Sequence, residues 1–226
     1  MRVDRQRLGF WKGSVLSNLA AADQIPHYRY DKAQLIIAGG KRGFGKTWLI
    51  QRYIQRREPR LWMVDIHDDF PEVPAYADLD ESFRVMQERD PDTGELEPCW
   101  ARFCPDFARM STEQRHELGE VMFGKVSKYL RQSLVVYNES TLWSGALSGD
   151  TLKDQIRQAR RLGLKHLIDT QRFGEAPDIM RSEGTHLAIF CTTRYRDREV
   201  LARETEPEIA EIARTLGVGR CLLVNL

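Results

Sequence analysis

A chain of 226 residues is long enough for one α/β domain with a full hydrophobic core and too short for two ordinary domains with a linker. With 42% hydrophobic residues, 30% charged residues and a net charge of +1, the composition is that of a soluble globular protein, and any contact with nucleic acid must come from a local patch. No apolar run approaches the length of a membrane span. The basic start at Arg2, Arg5 and Arg7 leads into Lys12, Ser14, Ser17 and Asn18 instead of the apolar stretch of a signal peptide. Cys99, Cys104, Cys191 and Cys221 have neither zinc-ligand spacing nor the density of a disulfide scaffold, so reduced thiols in a cytoplasm are expected.

In chain order, Phe10, Trp11, Val15, Leu16 and Leu19 give residues 1–30 an apolar set. It packs either on this subunit or, as an inter-subunit arm, on a neighbour. The domain proper is expected over 31–226. Ala33 to Ala38 reads as a buried strand entering a tight loop at Gly39-Gly40, and Trp48, Leu49, Tyr53 and Ile54 recur with helical spacing until Pro59. Leu61 to Ile66 is a second strand, closed by the acidic turn His67-Asp68-Asp69. A helix over 79–88, a loop at Asp90 to Gly94 and a strand from Trp100 to Cys104 follow. Ser111 and Gln114 have capping-box spacing ahead of a helix carrying Leu118, Val121, Met122, Val126, Tyr129 and Leu130. Leu134 to Tyr137 is a strand, Leu152 to Leu162 a helix stopped by Gly163, and Leu164 to Ile168 and Leu187 to Thr192 are strands. Pro207 opens a last helix that Gly217 closes, and Cys221 to Val224 ends the pattern. Short apolar strands alternating with helices predict an α/β fold with a mainly parallel central sheet covered on both faces.

Gly40-Lys41-Arg42-Gly43-Phe44-Gly45-Lys46-Thr47 fits G-x-x-x-x-G-K-[ST] between a predicted strand and a predicted helix, the context that makes the motif a phosphate loop. Glycines there let backbone N–H groups converge on phosphate oxygens, and the helix N-terminus adds partial positive charge. The expected ligands are ATP and Mg²⁺. Lys46 is expected on the β- and γ-phosphates and Thr47 on Mg²⁺, with Trp48 completing the binding segment. Arg42 is either a phosphate contact or an exposed loop residue.

Ser133 to Ser140 forms an apolar strand delivering Asn138 and Glu139 to the sheet edge. Glu139 is the candidate carboxylate for polarising an attacking water, and a solvated strand end is the plainer reading. Asn138 stands where such strands ordinarily carry Asp; it is neutral yet able to hydrogen-bond a water on Mg²⁺. Gln171, in Asp169-Thr170-Gln171-Arg172, is placed at the same edge either to sense the γ-phosphate or as an ordinary hydrogen-bonding residue. On the helix over 152–162, Leu152, Ile156 and Ala159 share one face, with Lys153, Arg157, Arg160 and Arg161 beside it.

The segments GKRGFGKT, LVVYNES and QARRLGLKHLIDTQR together resemble the HerA/FtsK superfamily of DNA-pumping P-loop ATPases, with the RecA/ASCE-type fold. The resemblance extends more loosely from about Leu35 to Leu226. It implies a homo-oligomeric ring, commonly a hexamer, with ATP between subunits and a trans-acting arginine for which Arg157 and Arg160 are the candidates; a solvated helix face is the alternative. The chain looks like a bare motor core, similar to the genome-packaging ATPases of membrane-containing, double-jelly-roll viruses. Those imply double-stranded DNA and a capsid or portal vertex as partners, in the host cytoplasm or on the virion. The loops near Asp90 to Glu97 and Thr141 to Asp150, and Lys125, Lys128 and Arg131, are the candidate DNA contacts. Another HerA/FtsK-type DNA-transfer or phage-assembly ATPase is the near alternative, and a small-molecule or nucleotide kinase and an ATP-binding assembly protein without turnover are the competing classes, the last kept open by Asn138.

Overall fold

The computed structural model describes residues 13–26, 34–55, 58–139, 150–176, 179 and 182–226. Among the described residues, nine strands form one sheet in the order β1-β9-β8-β2-β7-β6-β3-β5-β4. These are β1 (Gly13–Ser17), β2 (Gln34–Gly39), β3 (Arg60–Val64), β4 (Ala75–Tyr76), β5 (Cys99–Phe103), β6 (Ser133–Tyr137), β7 (Leu164–Thr170), β8 (His186–Ile189) and β9 (Arg220–Asn225). Strand β9 runs antiparallel to both β1 and β8, and the remaining pairings are parallel. A parallel sheet needs both faces covered, which is why its strands read as unbroken apolar runs. Leu35, Ile37, Trp62, Val64, Val135 and Tyr137 point to one core. Their neighbours Ile36, Ala38, Leu61, Met63, Leu134 and Val136 point to the other.

The first core is closed by α3 (Leu79–Val85), α4 (Thr112–Tyr129), α5 (Asp150–Leu162), α6 (Tyr195–Glu204) and α7 (Pro207–Thr215), and the second by α1 (Asn18–Gln24) and α2 (Lys46–Gln55). The expected capping box is present: Gln114 N–H donates to Ser111 Oγ, and the Gln114 side chain accepts from the Ser111 backbone N–H. Pro207 opens α7, and Gly163, with φ 66°, ends α5 in the left-handed conformation. Inside the first core Tyr137, Gln155 and His166 form a buried polar chain. Gln155 Nε2 lies 2.7 Å from Tyr137 Oη and 2.8 Å from His166 Nε2. Burial lowers His166 to about 4, so its ring is neutral at physiological pH.

Three elements depart from expectation. Residues 13–24, for which no strand or helix was expected, add β1 to the sheet edge and seat Ala21 and Ala22 of α1 in the second core, so that this stretch packs on its own subunit. Helix α6 appears where none was expected. Strand β4 extends the far edge by two residues. The third stretch of candidate DNA contacts is also occupied differently: Lys125 pairs with Asp80, Lys128 sits 4.9 Å over the Tyr129 ring, and Arg131 donates to the carbonyls of Ser127 and Leu130. The loop 140–149 lies outside the described residues.

The end of β2 leaves no room for a side chain. A Cβ on Gly39 would overlap the ring of Phe173, which is itself buried just after β7. Gly39→Ala is therefore expected to lower stability by about 1–3 kcal/mol in denaturant titration. Phe173→Leu should recover part of that loss in the double variant, because the two changes share one space.

Candidate active site

The strand order puts β2, which feeds the glycine loop, beside β7, and β7 beside β6, which ends in Asn138-Glu139. Their carboxyl ends open on a cavity of about 770 Å³. Gly40, Gly43 and Gly45 have φ of 138°, 80° and 103°, which other residues adopt only with strain. A Cβ on Gly40 would also stand 2.9 Å from the Phe190 backbone. The loop is tied to the sheet by Gly40 N–H to Thr170 O and Lys41 N–H to Cys191 O. On its outer side Asn18 Nδ2 donates to Gly45 O at 3.0 Å, Asn18 N–H to Gly219 O, and Gly219 N–H to Phe44 O. The first residue of α1 and the turn before β9 thus clamp the loop.

Of the expected binding segment, Arg42, Gly43, Gly45, Lys46, Thr47 and Trp48 line the cavity. Trp48 is 64% exposed at the entrance. Gly40 shapes the loop from beneath, Lys41 is exposed with Nζ 5.7 Å from the Phe44 ring, and Phe44 packs against the core. Lys46 is buried: Nζ donates to Gly40 O at 3.0 Å and faces Asp169 Oδ1 at 3.8 Å.

Glu139 also lines the cavity, with φ 54° in the left-handed region and only 8% exposure. Gln171 Nε2 donates to both of its carboxylate oxygens, at 2.7 and 2.6 Å. The sheet has joined two residues whose roles the sequence left separate. Asn138 is fully buried behind Glu139, where Nδ2 donates to Asp65 Oδ1 at 3.0 Å and Asp69 Oδ2 at 3.3 Å. Asp65 accepts in addition from the His67 and Phe70 N–H groups and from Arg102, which also pairs with Asp68.

This explains a neutral side chain at position 138. An amide donates to two carboxylates that a third carboxylate would repel. Asn138 Oδ1 is left buried without a hydrogen-bond partner, close to a cavity onto which Thr47 and Asp69 also open. A neutral oxygen, a hydroxyl and a carboxylate are a donor set that fits a hard cation such as Mg²⁺.

Sequence reasoning did not single out Asp65, Asp69, Arg102, Asn18 or Asp169 as site residues. Asp169 is 2% exposed on the cavity wall, and burial raises its carboxyl to about 7, with Lys46 opposing that shift and Glu139 and Asp69 adding to it. Position alone was its signal, as an acid at the end of a strand beside the phosphate loop. Arg157 and Arg160 are exposed and do not line the cavity. Helix α5 leads directly into the start of β7, so Arg160, in its last turn, lies at the sheet edge opposite the cavity.

No protein-family model and no curated protein matches the chain. Among solved structures, it is similar to the genome packaging NTPase B204 from Sulfolobus turreted icosahedral virus 2. In complex with AMP that protein gives a TM-score of 0.63 at 15% identity, over 85% of this chain and 92% of that one. In complex with AMPPCP the TM-score is 0.63 at 14% identity, over 87% and 93%. B204, the DNA-packaging ATPase from Sulfolobus Turreted Icosahedral Virus, gives 0.57 at 13% identity, over 83% and 89%. At such identities the likeness is one of fold, and the fold is that of the P-loop NTPases.

Restoring Asp at position 138 should not improve this site. Asn138→Asp exchanges two donated hydrogen bonds for a third buried carboxylate. It is expected to cost about 2–4 kcal/mol at neutral pH. The new acid would have a raised folded-state pKa, so the deficit should shrink as the pH falls, a trend that chemical denaturation at pH 5 and pH 8 will read.

Proposed function

We propose that this chain is an ATP-hydrolysing motor that moves double-stranded DNA, acting in viral genome packaging. The observation that carries the reading is the meeting of Lys46, Thr47 and Glu139 on one cavity at the carboxyl edge of the sheet, with Gln171 bound to both oxygens of Glu139. The shared fold with a packaging NTPase solved with AMP and with AMPPCP supports it.

In this mechanism the triphosphate lies along the glycine loop, held by its N–H groups and the N-terminus of α2, and Lys46 leaves its loop carbonyl for the β- and γ-phosphates. Thr47 would hold Mg²⁺, with Asn138 Oδ1 and Asp69 reaching its waters. When bound, the ion neutralises charge on the β- and γ-oxygens. A water attacks the γ-phosphorus, the bond from that phosphorus to the bridging oxygen breaks, and ADP departs. Glu139 takes the proton of the attacking water. Gln171 fixes the Glu139 carboxylate and turns its amide to the γ-phosphate when nucleotide arrives. Because Arg157 and Arg160 stand away from their own cavity, they serve only a neighbour's, as a ring of subunits allows. A hexameric ring docked at a capsid or portal vertex, working in the host cytoplasm or on the virion, completes the proposal.

The test is ATP hydrolysis by the purified protein with and without duplex DNA. Stimulation by duplex is expected. Lys46→Ala should abolish nucleotide binding or turnover, whereas Glu139→Gln should bind ATP and hydrolyse it roughly 10²–10⁴-fold more slowly. Absence of Mg-nucleotide binding by the wild type overturns the whole reading, and a rate indifferent to duplex DNA removes the translocase part. Glu139→Gln turning over at the wild-type rate removes Glu139 from its role.

A further inference from the structure

Asp169 is a buried acid that the mechanism above does not use. It pairs in register with Ala38, two residues before Gly40, and its strand lies between the phosphate-loop strand and the strand that delivers Glu139. One carboxylate oxygen, Oδ1, has no hydrogen-bond partner and stands 3.8 Å from Lys46 Nζ. The same carboxylate stands beside the backbone N–H of Glu139, which lowers its pKa against the effect of burial, and the left-handed φ of 54° at Glu139 is unfavourable for a residue with a β-carbon. Gln171 donates to the Glu139 carboxylate, and Asp169 stands beside its backbone N–H.

We propose that Asp169 is a positioning residue that couples the phosphate lysine to the Glu139 turn, competing with the nucleotide's phosphates for Lys46 while anchoring the backbone that directs Glu139. The inference rests on the ATPase reading. A carboxylate beside Lys46 opposes an incoming polyanion in two ways. It attracts the ammonium that the phosphates need, and it repels the phosphates themselves in a poorly screened site. Once Lys46 swings to the phosphates, Asp169 loses its counter-charge and the neighbouring Glu139 N–H is the donor left for it to bind. Arrival of nucleotide is thereby felt at the Glu139 backbone.

Two variants separate the two contacts. Asp169→Asn removes the charge facing Lys46 and keeps an oxygen that accepts the Glu139 N–H; Asp169→Ala removes both. Binding of a fluorescent ATP analogue and steady-state hydrolysis are measured on each, beside the wild type. Both variants should bind the analogue more tightly, roughly tenfold at low salt, as expected when one charge is removed near a polyphosphate. Turnover should split them, with kcat in Asp169→Ala about tenfold or more below that in Asp169→Asn, since only the alanine variant leaves the Glu139 turn unanchored.

Equal or weaker analogue binding in Asp169→Asn overturns the coupling, as does an identical kcat in the two variants. A merely structural role would lower folded yield without tightening binding. If Asp169→Ala fails to fold, Asp169→Ser, whose hydroxyl is too short to span both partners, takes its place in the kcat comparison. Failure of the wild type to bind the analogue would instead overturn the ATPase reading, so the two failures are distinct.

Discussion

Charge crowding at the carboxyl edge of the sheet is the constraint on which the rest of the site depends. Asp65, Glu139 and Asp169 converge there with little exposure to water, Asp69 is half-buried beside them, and burial together with the charges of Glu139 and Asp69 raises the Asp169 carboxyl. Arg102 and Lys46 supply opposite charge, and Asn138 supplies a neutral donor in the middle. Removing one member would leave its neighbours buried and uncompensated, which costs far more than the pairing itself contributes. The neutral amide in place of a carboxylate is therefore part of the balance at this edge.

The topology makes that convergence possible. Because β7 lies between β2 and β6, its last residues, Asp169 and Thr170, meet the phosphate loop on one side and Gln171 just after it meets Glu139 on the other. Cavities of open parallel sheets lie beyond the carboxyl ends of their strands, and here the loops after β2, β3 and β6 and the end of β7 all contribute. The antiparallel edge adds a different service. Strand β1 and the turn before β9 bring Asn18 and Gly219 against the back of the glycine loop, where a Cβ on Gly45 would come within 2.6 Å of Asn18 Nδ2. A loop that must offer bare N–H groups to a ligand needs its carbonyls bonded elsewhere, and these partners bond them.

What the sequence reveals is whatever is coded locally. The glycine loop is a contiguous motif whose backbone requirement dictates its residues, and the strands feeding the site are apolar on both faces, so both were legible. The ends of β6 and β7 were legible as places, and Gln171 and Glu139 proved to be partners. Strand β1 was not, since a short edge segment has no alternation of its own and acquires its conformation from β9 near the other terminus. Helix α6 escaped because Tyr195 to Glu204 is mostly charged and buries only Asp197 and Leu201, too few for an apolar stripe. The ties among Asp65, Arg102 and Asn138 join three strands, and nothing within one strand announces them. Asp169 was hidden for a related reason, its significance lying wholly in what flanks it in space.

The chain from Tyr137 through Gln155 to His166 has a mechanical consequence. Sliding α5 along the sheet by one turn, about 5.4 Å, would strand a buried carboxamide, a phenol and an imidazole in apolar surroundings. The helix is thus pinned to β6 and β7 as one stiff plate. A shift of α5 would therefore carry with it the two strands whose ends bear Glu139 and Gln171.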